Sequence, residues 1–339
     1  MTRSRILLTI LAAGTAGALG AGFASSQAAT DTGTGSLALA PVAALQNAYV
    51  SVFRNVSPSV VQIQTSEGLG SGIVFDHKGD IVTNDHVVGT AKSFTVTTQA
   101  GKQLKGTLVG TFQEDDLAVI KVPAAGLRPA SFADSGKLQV GDIAIAIGNP
   151  LGLASSVTEG IVSALGRQEP EGGNIILPDA IQTSAAINPG NSGGALVDIS
   201  GRVIGIPTLA AEDPQLGGAA AGIGFAIPSN TVTSIASQLI KFGKVLHSNR
   251  AYLGVKIADT GAANGVYITQ VLPGTAAAKA GLKAGELIKA IDGTATPTSD
   301  VLGTVLAGLK PGQSVTVKFT RQAGTSGSVQ LTLGQYLET

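Results

Sequence analysis

The 339-residue chain has no cysteine and no tryptophan, a single methionine, only 4% aromatic residues, three histidines and no excess charge of either sign. Without cysteine there is no disulfide, no thiolate metal site and no thiol nucleophile, so covalent chemistry would have to use a hydroxyl. His77, His86 and His247 do not cluster, and no His-Glu-x-x-His spacing occurs. A metalloenzyme is therefore not expected, and nothing points to a metal or another cofactor. Lys plus Arg equals Asp plus Glu at 22 each, with no dense basic run interleaved with aromatics. Nucleic acid is not the expected partner.

What is plentiful is glycine, at 46 residues, among short runs of Ala, Val, Ile and Leu. That pattern predicts a mainly β protein with tight turns. At the N-terminus, Arg3 and Arg5 precede an uncharged stretch from Ile6 to Ala24, and Ser26-Gln27-Ala28 supplies small residues for cleavage. Residues 1–28 read as a signal peptide or, if retained, a membrane anchor. Either places the remainder outside the cytoplasm, secreted, periplasmic or tethered to the membrane. Residues 29–41, rich in Thr, Gly, Ser and Ala, predict a flexible linker. Leu45, Ala48, Val52 and Val56 then recur at helical spacing up to Pro58.

Beyond Ser59 the pattern changes to period two and short apolar runs, from Val60–Ile63 to Gly222–Ile227, enough strands for two small barrels. Residues 168–179, rich in Pro, Gly and Glu, read as a loop. Pro228-Ser229-Asn230 opens a helix reaching Phe242, with Ser229 or Asn230 as cap and Gly243 as its stop. A second unit of four strands and two helices follows. The organisation predicted is one domain over 42–247 and a smaller one over 250–337.

Asn188-Pro189-Gly190-Asn191-Ser192-Gly193-Gly194 places a serine in a glycine-rich turn whose amides can converge on an oxyanion. A serine hydroxyl needs a base and the base needs an orienting group. His86, in Thr83-Asn84-Asp85-His86, and Asp116, at the head of the apolar run Leu117-Ala118-Val119-Ile120, are the candidates. Asp115 is the rival carboxylate, expected to point the other way. The order His86, Asp116, Ser192 fits a chymotrypsin-like arrangement, with base and orienter on one barrel and nucleophile on the other.

Those residues, with Gly70-Ser71-Gly72-Ile73-Val74, the run Ile143 to Pro150 and Gly222-Ile223-Gly224-Phe225-Ala226, resemble the HtrA (high-temperature-requirement) family of serine proteases with one C-terminal PDZ domain. The resemblance implies a chymotrypsin-like double β-barrel followed by an α+β PDZ domain. It makes Ser192 the nucleophile, His86 the base and Asp116 its orienter, with the amides of Gly190, Asn191 and Ser192 holding the oxyanion. It implies that the strand Gly222 to Ala226 is the edge on which an extended substrate pairs, and that Ile187, Ile223, Gly224 and Phe225 bind substrate. Arg167 matches a regulatory arginine, and Leu253, Gly254 and Val255 match the PDZ loop that captures a C-terminal carboxylate. The partners implied are unfolded polypeptides, C-terminal peptides and further copies of the chain in a trimer. A binding protein or chaperone is the competing reading, disfavoured by a complete triad. An ester hydrolase of the nucleophile-elbow class would run in the order Ser, Asp, His, whereas the candidates here run His86, Asp116, Ser192.

Overall fold

The computed structural model describes residues 34–66, 68–124, 126–149, 156–172, 175–188, 190–213, 218–261 and 264–337. The expected export segment lies outside them. Among the described residues, no helix is long and apolar enough to cross a membrane. The chain divides into two compact units, 1–44 and 45–339.

Helix α1 (Thr34–Val56) begins within the stretch expected to be a linker. Leu37, Ala38, Leu39 and Ala40 are strong helix formers, and their propensity outweighs the Gly and Thr that precede them. Six strands then close the first barrel, in the order β1-β2-β3-β6-β5-β4. They are β1 (Val60–Gln64), β2 (Leu69–Val74), β3 (Asp80–Thr83), β4 (Ser93–Thr97), β5 (Gln103–Phe112) and β6 (Leu117–Lys121). A single-turn helix, α2 (Asp85–Val88), follows β3. The second barrel runs β10-β11-β12-β9-β8-β7. Its strands are β7 (Ile143–Gly148), β8 (Ser156–Gly172), β9 (Ile175–Thr183), β10 (Ala195–Val197), β11 (Val203–Asp213) and β12 (Gly218–Pro228).

Alternation along the strands serves two cores rather than one core and solvent. On β6, Ala118 and Ile120 fill the first barrel, while Leu117 and Val119 join a larger cluster between the barrels. On β7, Ala144 and Ala146 point into the second barrel, and Ile145 and Ile147 into that shared cluster. Both faces are dry, so these strands read as unbroken apolar runs instead of alternating ones. Val52 and Val56 of α1 seal the shared cluster on one side. Helix α3 (Ser229–Phe242) seals another with Val232, Ile235, Ala236 and Leu239. The cap expected for α3 is not used: its N-cap is Pro228, and the Ser229 hydroxyl donates to the Ala133 carbonyl at 2.7 Å. Gly243, left-handed at φ 68°, ends the helix as expected.

The predicted loop over 168–179 is instead the paired length of β8 and β9, with repeated register shifts from Val162 opposite Thr183 to Gly172 opposite Ile175. Proline and glycine are accommodated at those shifts, where a ladder bond can be spared.

The second domain is built on a sheet in the order β14-β15-β16-β18-β19. It comprises β13 (Ala251–Tyr252), β14 (Val255–Asp259), β15 (Val266–Val271), β16 (Leu287–Ile291), β17 (Thr294–Ala295), β18 (Ser314–Thr320), β19 (Ser326–Thr332) and β20 (Gly334–Gln335), with helices α4 (Ala276–Lys279) and α5 (Ser299–Ala307). Strand β13 pairs with β20, so the domain's two ends meet. The joint with the first barrel is specific. Arg250 donates to the Asp115 carboxylate at 2.6 Å, to the Ile176 carbonyl at 2.6 Å and to the Glu114 carbonyl. Beside it, the Tyr336 ring lies tilted against Phe112 at 6.2 Å and edge-on to Tyr252 at 5.1 Å.

Candidate active site

The rim between the barrels gathers His86, Asp116 and Ser192. His86 lies in α2, and its Nδ1 meets the Asp116 Oδ2 at 2.9 Å. A carboxylate only accepts, so this contact fixes the proton on Nδ1 and leaves Nε2 as the acceptor. The His86 amide donates to the other carboxylate oxygen at 2.9 Å, and the Thr208 hydroxyl donates to Oδ2 at 2.6 Å. Asp116 is buried, while the imidazole is about half exposed. The acid is held in the left-handed region, φ 46° and ψ 47°, a conformation that short polar residues tolerate. Its carbonyl accepts the Asn84 side-chain amide at 3.0 Å. Asp115 turns the opposite way, to Arg250, as the sequence suggested for the rival carboxylate.

Electrostatics favour a cationic imidazole. Burial pulls the His86 pKa down, but the hydrogen bond and charge of Asp116 and the charge of Asp85 outweigh it, leaving it above 6.5. Burial, followed by the Asp116 charge, pushes Asp85 up to about 6.

Ser192 sits in the glycine turn, where its hydroxyl donates to the Thr208 carbonyl at 3.0 Å. Gly193 must be glycine: at φ +77°, a Cβ there would lie 2.1 Å from the Ser71 carbonyl oxygen and 2.3 Å from the Thr83 hydroxyl. That contact lets the two barrels close on the turn. The Asn191 amide donates to the Asn188 carbonyl at 2.9 Å, so it is spent inside the turn and is withdrawn from the expected oxyanion donors. Among the described residues, no backbone acceptor takes the Gly190 or Ser192 amide.

The expected substrate edge needs correcting. Gly224 and Phe225 pair with Thr183 and Gln182 of β9 on one side and with Ala210 and Leu209 of β11 on the other. Both edges are used, so that stretch cannot accept a further strand. Phe225 is buried, as is Ile187, which packs where a Gly224 side chain would stand; Ile223 is 38% exposed. The open edge belongs to β11, which pairs with β10 only as far as Gly205. Thr208 sits at a register shift in this strand, a bulge that sends its hydroxyl to Asp116 and its carbonyl to Ser192. Sequence reading missed Thr208, because nothing local marks a threonine within an apolar strand.

Arg167, on β8, donates to the Gln182 side chain at 2.9 Å. Its neighbour Gln168 reaches α5, where the surrounding groups assign its amide nitrogen to the Thr304 carbonyl at 2.8 Å and its oxygen to the Gly308 amide at 3.0 Å. In the second domain Gly254, at φ +84°, lies against Thr275 so closely that a Cβ would come within 2.1 Å of it. The Leu253 carbonyl accepts the Ala277 amide, tying this loop to α4. Strand β14 is at the edge of its sheet, with α5 next to it. A cavity of about 970 Å³ opens there, lined by Leu253, Val255, Ile257, Leu302 and Leu306, and it extends to Glu114 and Arg250.

The trypsin-like peptidase domain family matches residues 70–206, and the PDZ domain family matches 251–333. The periplasmic pH-dependent serine endoprotease DegQ of Escherichia coli is 39% identical over 284 residues, 80% of this chain and 60% of its own. The chain belongs to the HtrA family of serine proteases. Among solved structures, the serine endoprotease from Yersinia pestis has a TM-score of 0.59 at 34% identity, covering 85% of this chain and 98% of that one. The HtrA-type protease AlgW with decapeptide has a TM-score of 0.60 at 29% identity, covering 86% and 99%. The chain spans about three-fifths of the length of the curated HtrA relatives it matches.

Proposed function

We propose that the protein is an exported serine endopeptidase of the cell envelope that cleaves unfolded or mislocalised polypeptides. Ser192 is the nucleophile, His86 the general base and then acid, and Asp116 the group that orients the imidazole. The observation that carries this reading is the double grip of the Asp116 carboxylate on the His86 backbone and ring, beside a serine turn in which, among the described residues, no backbone acceptor takes the Gly190 or Ser192 amide. The amides of Gly190 and Ser192 hold the oxyanion. An extended substrate pairs along the open edge of β11, with an amide taking the Thr208 carbonyl. Its arrival displaces the Ser192 hydroxyl from that carbonyl and leaves its proton for Nε2 of His86. Ile187 and Ile223 then bound the pocket for a small aliphatic side chain before the scissile bond.

The test is cleavage of an unfolded protein such as casein, followed across pH. His86 must be neutral to act as base, and its pKa is raised, so activity is silent near pH 5 and rises with a midpoint above about 6.5. No cleavage, or a rate flat from about pH 5 to 8 with chemistry limiting, would defeat the reading.

The PDZ domain binds C-terminal peptides, the loop at Leu253, Gly254 and Val255 taking the carboxylate while β14 gains a strand and its cavity takes the last side chain. Gln168 contacts α5, the wall of that groove, and is adjacent to Arg167. Occupancy can therefore bias the β8–β9 segment and the active site. Peptides ending in an apolar residue should speed turnover of a short chromogenic substrate roughly 5- to 150-fold, the usual range of coupling between sites, and their amidated forms much less. Arg167→Ala should blunt the response without weakening peptide binding. Turnover indifferent to saturating peptide would leave tethering of substrate as the domain's role. Assembly into a trimer is proposed from family membership.

A further inference from the structure

Ser71 is a fully buried hydroxyl residue in β2, on the first barrel, facing the nucleophile turn of the second. Its hydroxyl donates to the Gly190 carbonyl at 2.6 Å and accepts the Asn149 amide at 2.8 Å. Its own amide donates to the Ser192 carbonyl at 2.9 Å. One residue thus holds the turn on both sides of Asn191. Its carbonyl accepts the Thr83 hydroxyl at 2.6 Å, three residues before His86. A buried hydroxyl is costly unless its hydrogen bonds are made, and here they are made to the turn and to the end of β7.

We propose that Ser71 is a positioning residue for the oxyanion site, resting on the proteolytic reading above. Gly190 is at φ +97°, and a glycine has little intrinsic preference that would keep it there. The bond from Ser71 fixes its carbonyl, and with it the peptide plane joining Gly190 to Asn191. The Gly190 amide lies across that residue's own φ and ψ from the fixed plane, so pinning the plane narrows the directions the amide can take. Negative charge develops on the substrate oxygen only as the tetrahedral intermediate forms, so donors must be aimed beforehand. Loosening the Gly190 amide therefore weakens transition-state binding and spares the ground state.

Ser71→Ala should lower kcat on a short chromogenic peptide by about 10- to 100-fold, less than outright loss of an oxyanion donor, with KM changed less than about threefold. Affinity for a peptide boronate, which forms a tetrahedral adduct with Ser192, should fall by the same factor. Binding of an unreactive peptide of equal length should not. Ser57→Ala is the matched control. Ser57 is also fully buried, donates to the Phe53 carbonyl at 2.6 Å and accepts the Gln99 side chain at 2.9 Å. Its loss should cost comparable thermal stability and leave kcat unchanged. Should Ser71→Ala not fold, Ser71→Cys, a weak donor of similar size, takes the same measurements. The proposal is overturned if the Ser71 variant keeps kcat within about threefold of wild type, loses activity through KM alone, or is matched in its loss by Ser57→Ala. Ser192→Ala separates the two levels. If that variant also cleaves, the reading of the whole site fails; if it is dead while Ser71→Ala turns over normally, only the role of Ser71 does.

Discussion

Ser192→Ala should reduce proteolysis by roughly four to six orders of magnitude, down to what binding and the remaining amides supply, while the protein stays folded and binds peptides as before. The hydroxyl contributes one bond to the fold, to the Thr208 carbonyl. The turn itself is fixed by backbone contacts: the Ser192 carbonyl accepts Ser71, and the Gly193 and Gly194 amides donate to Pro207 and Asn191. Deleting the side-chain oxygen leaves those contacts in place, so the thermal midpoint should hardly move. Casein digestion by the variant within about tenfold of wild type would show that another group attacks the peptide bond.

Asp116→Asn should cost about four orders of magnitude in kcat with the fold preserved. Asparagine tolerates the left-handed backbone that Asp116 adopts, and its size is nearly the same. The loss lies in hydrogen-bond polarity. The carboxylate takes three donors, the His86 amide, its Nδ1 and the Thr208 hydroxyl. A carboxamide has one acceptor oxygen and a donor of its own, so one partner must reverse. If His86 reverses, Nδ1 becomes the acceptor and the proton moves to Nε2, where the base must be empty. Kinetics on a short substrate together with a melting curve would check this. Near-wild-type kcat would mean that Asp116 does not set the tautomer.

Much of this site could be read from the chain because its parts are punctuated locally. The glycines around Ser192 and the carboxylate at the head of an apolar run each carry a signal within a few residues. The helix α3 was visible through its apolar period and Gly243. The parts that escaped are those whose meaning depends on pairing. The resemblance made Gly222 to Ala226 the substrate edge; an apolar strand reads the same whether one side or both are bonded, and only the register with β9 and β11 shows that Gly224 and Phe225 leave no edge. β9 itself was hidden by Pro178, and β19 by a run of Ser and Gly. Thr208 and Gln168 act across 92 and 136 residues of sequence, or more, on Asp116 and on α5, a reach to which local pattern is blind.

The joint at Arg250 makes the border between the domains a poor place to cut. Its guanidinium is the counter-ion of Asp115, a carboxylate with 3% of its side chain exposed, and Asp115 is the residue before Asp116. A protease domain ending at Asn249 would lose that counter-ion, directly beside the residue that orients the base. Lost activity in such a truncation would say nothing of peptide sensing, since the cut removes part of the catalytic domain's own wall. In this chain the functional boundary lies at least one residue beyond the one drawn by the two folds.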